Sequence, residues 1–150
     1  MVTNRLNDQY QERVLPSIAV YLALFVIPAS LFLVFLPFGE NLALLCTVGS
    51  ALILLIISYV TAPKIYLDEQ RLTVGKATIE RIHLGFAKEI PRAEAFEERS
   101  RNLNPKAFAK FQAGVKELVL VEVIDDSDPT PYWIFSTRNA EVLAARLNQN

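Results

Sequence analysis

Two transmembrane helices joined as a hairpin and followed by a small α+β domain are the fold class that this 150-residue sequence predicts. Three observations carry that expectation. Charged residues are missing from two long apolar runs, the connection between the runs is very short, and the composition changes sharply after Pro63. The chain divides accordingly into a flank at 1–13, a membrane hairpin at 14–63 and a β-rich domain at 64–150. With 52% hydrophobic and 21% charged residues, the balance is too apolar for an ordinary soluble domain. The length excludes a large multidomain enzyme. A formal net charge of -1 argues against nucleic acid as a partner, because neutralising phosphates needs clustered, unopposed cations. The lone cysteine, Cys46, excludes an internal disulfide.

The first run, 14–39, is free of charge for 26 residues, and the second, 41–63, for 23. About 20 helical residues cross a hydrocarbon core, so each run is long enough to span. The first is too long for the apolar core of a signal peptide, and Arg5 and Arg13 are offset by Asp8 and Glu12, so it is read as an uncleaved span. Residues 37–41 form so short a link that the helices must be antiparallel neighbours. Lys64, Arg71 and Lys76 join Arg5 and Arg13 at the outer ends of the hairpin, whereas the loop has only Glu40. The positive-inside rule then puts both termini in the cytoplasm, at the cell membrane. Counting outward from the loop sets Ser30 level with Gly49 and Ser50, small residues expected to mark the closest helix–helix approach, so that Gly49→Leu should weaken the hairpin. Pro28 is expected to kink the first helix. Ionisable residues are absent from both spans, which removes the usual marker of a proton or substrate path. Cys46 reads as a packing residue, since apolar surroundings suppress the thiolate.

The tail balances 13 Lys and Arg against 13 Asp and Glu. Short β-prone segments at 65–68, 71–74 and 76–80, with Glu69 and Gln70 as a tight turn and Gly75 as a break, begin a meander. Another strand is expected at 86–90. The clearest lies at 115–124, where Val115, Val119, Val121 and Val123 share one face and Lys116, Leu118, Leu120 and Glu122 the other. A polar turn at 125–131 returns the chain as a strand at 132–136. Asn104 and Pro105 suggest the start, and Gly114 the stop, of a short helix carrying Phe108 and Phe111. Asn139 can cap a last helix in which Ala140, Leu143, Ala144 and Leu147 form one apolar stripe.

Strands followed by one amphipathic helix suit a pleckstrin-homology-like β-barrel or curved sheet plugged by that helix. A second resemblance rests on particular residues. Tyr10, Glu12 and Arg13, the segment 72–77, and above all the run containing Asp128, Pro129, Thr130, Pro131, Tyr132, Trp133, Thr137 and Arg138 resemble a family of small actinobacterial membrane proteins, domain of unknown function 3093. Resemblance to that family implies two N-terminal membrane helices and a cytoplasmic β-rich domain, without an activity. Ala140 departs from the family pattern, which more often has a proline there.

No catalytic motif is present, and neither cofactor nor metal is expected. His83 lacks a second His or a Cys to share a metal, and Asp125, Asp126 and Asp128 miss the Gly and Glu positions of a calcium loop, so they read as an Asx-rich turn. Tyr132 and Trp133 beside Arg138 offer either a partner-binding surface or core packing; burial of Trp133, with Arg138 at the rim as the contact, is the expectation. Lys106, Phe108, Lys110 and Phe111 read as a helix burying its two phenylalanines in preference to a leaflet contact. The role expected is a non-enzymatic membrane-anchored binding or scaffolding module, its partners the lipid bilayer and another membrane or cytoplasmic protein. The alternative is a small accessory subunit of a transport or channel assembly.

Overall fold

A computed structural model describes residues 9–125 and 127–149 of the chain; Arg5, Asp8 and Asp126, weighed above, lie outside them. The chain forms two compact units. One is Leu15–Ala62, and the other combines the described residues of Met1–Val14 with those of Pro63–Asn150.

In the first unit, α1 (Ile18–Leu24) and α2 (Val26–Phe35) run almost continuously into a tight helical turn at Leu36–Phe38, and α3 (Glu40–Thr61) follows. Ile18–Phe38 and Glu40–Thr61, 21 and 22 residues, are each long and apolar enough to cross a membrane. Only 6% of either apolar stretch is buried within the chain, whereas a core helix of a soluble protein would be mostly buried. The break between α1 and α2 falls at Phe25, three residues before Pro28. Proline has no N–H to give the carbonyl four residues back, here that of Leu24, so the ladder opens there while Phe25 N–H still reaches Tyr21 O at 2.9 Å. Gly39 alone links the turn to α3, with φ 124° and ψ 141°, a conformation closed to residues with a Cβ.

Ser30, Gly49 and Ser50 are the small residues expected at the closest helix–helix approach. Ser30 is exposed, and a Cβ placed on Gly49 would meet nothing within 4 Å. The buried residues within α1, α2 and α3 are Pro28 and Ala43. Ser30 Oγ donates to Val26 O at 2.7 Å and Ser50 Oγ to Thr47 O at 2.9 Å, so both hydroxyls are satisfied within their own helix. Equal distance from the loop fixes depth but not rotation, and each residue turns the helix face by about 100°.

The second unit holds two four-stranded sheets. The first has the order β1 (Tyr10–Arg13), β2 (Lys64–Leu67), β3 (Arg71–Val74), β4 (Ala77–Glu80), all antiparallel. The end of the flank that precedes the hairpin, Tyr10–Arg13, therefore supplies an edge strand, with Tyr10 opposite Leu67 and Arg13 opposite Lys64. Gly75, at φ 67°, makes the two-residue β3–β4 turn possible. The second sheet contains β5 (Leu84–Ile90), β6 (Phe108–Lys110), β7 (Leu118–Val123) and β8 (Tyr132–Ser136) in the order β5-β7-β8-β6, with β6 parallel to β8. Among the described residues no closure of the sheets into a barrel is found.

The helix expected at 105–114 is absent; β6 occupies that stretch and α4 (Ala95–Ser100) precedes it. Asn104 Oδ1 accepts from Lys106 N–H at 2.9 Å in a local turn instead of capping a helix. Phe108 then pairs in register with Trp133, their rings 4.3 Å apart, and this packing overrides the helical spacing. The last helix, α5 (Ala140–Leu147), buries Ala140, Leu143, Ala144 and Leu147. Asn139 sits at its start, but its side chain makes no cap and instead donates to the Tyr10 hydroxyl at 3.4 Å.

One core joins Tyr10, Ile65, Leu67, Leu72 and Val74 of the first sheet to Val119, Val121 and Phe135 of the second and to the α5 stripe. A smaller cluster of Ile90, Ala95, Leu118 and Ile134 covers the outer face of β7 and β8. Strand β7 is consequently buried on both faces, which explains why Leu118 stands on the face assigned to Lys116 and Glu122.

Candidate binding surface

The turn that the sequence marked with Asp128, Pro129 and Pro131 connects β7 to β8. Asp128 Oδ1 accepts from Thr130 N–H at 2.9 Å, and Asp125 Oδ1 accepts from Ser127 N–H at 2.9 Å and Ser127 Oγ at 2.6 Å. Those bonds from Ser127 hold the Asp125 carboxyl below its ordinary value, with His83 a lesser influence. His83 Nδ1 lies 3.6 Å from Asp125 Oδ2. Among the described residues no group of three or more His, Cys, Asp or Glu is placed to hold a metal. Pro131 O accepts from Val123 N–H at 3.1 Å and closes the hairpin.

Tyr132 is half-buried, and its hydroxyl accepts from Asn104 N–H at 2.8 Å and donates to Asn102 O at 3.3 Å. Trp133 is 5% exposed against Phe108. Both rings thus fasten the 102–108 segment to the sheet, in keeping with the packing expectation. Phe108 and Phe111 are partly buried against the two clusters, although from strand and loop and not from a helix.

Arg138 is exposed, and around it the segments that carried the family resemblance meet. Glu12 Oε2 accepts from Tyr10 Oη at 2.6 Å and from Thr137 Oγ1 at 2.5 Å, while Oε1 accepts from Arg138 N–H at 2.9 Å. Thr137 is fully buried, so this carboxylate satisfies a hydroxyl that has no access to water. Burial, then the hydrogen bond to Glu12, pushes the Tyr10 phenol above its ordinary value. The Arg146 guanidinium stands 5.7 Å over the Tyr10 ring and donates to Gln9 O at 3.3 Å. This latch ties β1 to the β8–α5 junction across more than 120 residues of sequence.

Beside it lies a depression of about 240 Å³ lined by Arg92, Gly114, Val115, Lys116, Glu117, Thr137 and Arg138. A second, of about 300 Å³, adjoins it and is lined by Arg92, Ala95, Phe96, Arg99 and Lys116. Gly114, at φ 74°, turns the chain into this wall. Arg99 donates from Nε to Ala95 O at 3.0 Å and from a terminal nitrogen to Val115 O and Lys116 O at 3.4 Å, and its guanidinium stands 5.6 Å from the Phe111 ring. It thereby fixes α4 against the loop that presents Lys116. Of the basic residues here, only Arg138 was legible in the sequence. Arg92 and Arg99 come from the stretch 91–114, whose elements were least readable, Lys116 comes from the strand expected at 115–124, and no spacing links the three.

The fold and this surface define a small protein with two candidate membrane-spanning helices and a separately packed β-rich unit bearing a basic double depression. The chain belongs to the family described as "Protein of unknown function (DUF3093)", whose model matches residues 9–147. No curated protein and no solved structure matches it.

Proposed function

We propose that this protein is a non-enzymatic, membrane-anchored binding or scaffolding module, with a pleckstrin-homology-like curved-sheet unit and both termini on the cytoplasmic side of the cell membrane. The observation that carries the reading is the division of the chain into an apolar helical hairpin and a β-rich unit with its own core. An anchor and a display unit need that division. Lys64, Arg71 and Lys76 outside the hairpin, against Glu40 in its loop, support the orientation. Uncharged spans favour anchoring over lining a transport path. The depression at Arg92, Lys116 and Arg138 supports a binding role at the β-rich unit.

Two experiments test the proposal. A periplasm-active reporter fused after Asn150 should be silent, and strong activity there overturns the orientation. Purification of the full chain from native membranes in mild detergent should recover a reproducible protein or lipid companion, lost when Arg92 and Lys116 are neutralised. Recovery of the same companions with that variant would count against the β-rich unit as the binding part.

A further inference from the structure

We infer that the paired depressions form one site for the phosphate-bearing headgroup of an anionic phospholipid. This names the ligand class of the binding module proposed above and rests on that reading. Arg92 and Lys116 line both depressions, Arg138 stands in one and Arg99 in the other, while Glu117 is the single acidic residue among the lining groups. Arg92, Lys116 and Arg138, on the lining of one depression, carry the guanidinium and ammonium donors that phosphate oxygens accept, while Arg99, bonded to the carbonyls of Ala95, Val115 and Lys116, adds its charge beside them. Phe96, on the rim, is 70% exposed. An aromatic ring beside a cation cluster suits the boundary between headgroups and acyl chains, and not bulk water.

Position within the unit argues for a lipid over a free phosphate. Thr137 and Arg138, which line the first depression, are both bonded to Glu12. Two residues further, Val14 N–H donates to Pro63 O at 2.9 Å, and at this pair the chain passes into Leu15–Ala62. At no more than about 3.6 Å per residue, Glu12 lies within roughly 11 Å of Leu15 along the backbone. Arg13 and Lys64, opposite each other in the β1–β2 ladder, add cations at that same end. The depression therefore sits beside the strand that leads directly into the candidate spans, where headgroups are the most abundant phosphates.

Binding is measured on the full chain in a nonionic detergent by isothermal titration calorimetry, with dihexanoyl phosphatidylglycerol, dihexanoyl phosphatidylcholine and inorganic phosphate as probes. Saturable binding of the phosphatidylglycerol is expected, with phosphatidylcholine at least tenfold weaker because its ammonium meets the cation cluster. At about fivefold per cation near a charged lipid, Arg92→Gln with Lys116→Gln should weaken binding by about 30-fold. Glu117→Gln should tighten it a fewfold, a gain that misfolding cannot mimic. Equal affinity for the two lipids, or no effect of the double substitution, overturns the site. Inorganic phosphate binding as tightly as the lipid reassigns it to a soluble ligand and overturns the lipid assignment. If the lipid site fails while a protein companion still depends on Arg92 and Lys116, the binding-module reading stands without this ligand; if both fail, that reading falls too.

Discussion

Within α1, α2 and α3 only Pro28 and Ala43 are buried, whereas β2, β3, β7 and β8 each bury at least two residues and share one core with α5. The contrast follows from where each unit satisfies its backbone. A helix closes its hydrogen bonds within itself and can leave apolar side chains facing outward in lipid, where no hydrophobic force drives helices together. A sheet satisfies its backbone between strands and must bury one or both faces, so the β-rich unit depends on contacts far apart in sequence. Exposure of Leu45 or Val60 is thus compatible with a stable hairpin, while exposure of Phe135 would undo the other unit.

The largest effect that would sharpen this contrast is Trp133→Ala. Removing a ring packed 4.3 Å from Phe108 should cost about 3 to 5 kcal/mol, a large share of a small domain's stability. Emission from Trp133, the only tryptophan, should be blue-shifted and protected from a soluble quencher in the intact protein; red-shifted, fully quenchable emission from folded protein would reverse the assignment. Next comes the latch: Glu12→Ala leaves the buried Thr137 hydroxyl and Arg138 N–H without their acceptor, at roughly 1 to 3 kcal/mol. Chemical unfolding of the full chain in detergent would read it, and an unchanged midpoint would mean that β1 is dispensable.

Gly85→Ala should cost about 1 to 3 kcal/mol, because a Cβ there meets Glu122 Cβ and Ile124 Cγ2 at 3.0 Å, beside the irregularity in the β5–β7 register. Loss of thermal stability checks it. Alkaline pH tests the latch more gently. Since the folded state raises the Tyr10 value, it holds the phenolic proton more tightly than the unfolded chain; the associated stability is complete below about pH 10 and is lost as pH rises through the folded value. Tyr10→Phe should remove this part of the alkaline loss, measured as the difference between the two proteins' unfolding curves at pH 9 and above. The smallest effect is expected at Gly49→Ala, within about 0.5 kcal/mol, because open space receives the new methyl group. A clear drop in the hairpin's melting temperature would restore Gly49 as a close-approach position and break the contrast between the units.

Much of the fold was legible where local physics decides. Apolar length without charge marks a candidate span regardless of its neighbours, and the β-prone segments expected at 71–74 and 132–136 match β3 and β8 residue for residue. The 3.6-residue stripe of Ala140, Leu143, Ala144 and Leu147 is buried as its spacing required. The candidate surface was legible only at Arg138.

By itself, then, the sequence determined the two apolar helices, the short link between them, the strand-turn-strand arrangement around Gly75 and the last helix, because each depends on residues a few positions apart. Only tertiary structure decided that the flank before the hairpin becomes β1, since an edge strand is recruited by β2 and by Glu12 bonding to Thr137 and Arg138. The same holds for β6, where parallel pairing with β8 and the Phe108–Trp133 contact outweighed a helical spacing. It holds again for the basic depression, whose cations at Arg92, Lys116 and Arg138 are brought together by the fold and not by any local pattern. Interactions between residues distant in sequence are set by the competition of packing, hydrogen bonding and chain entropy over the whole unit, and no local window contains that competition.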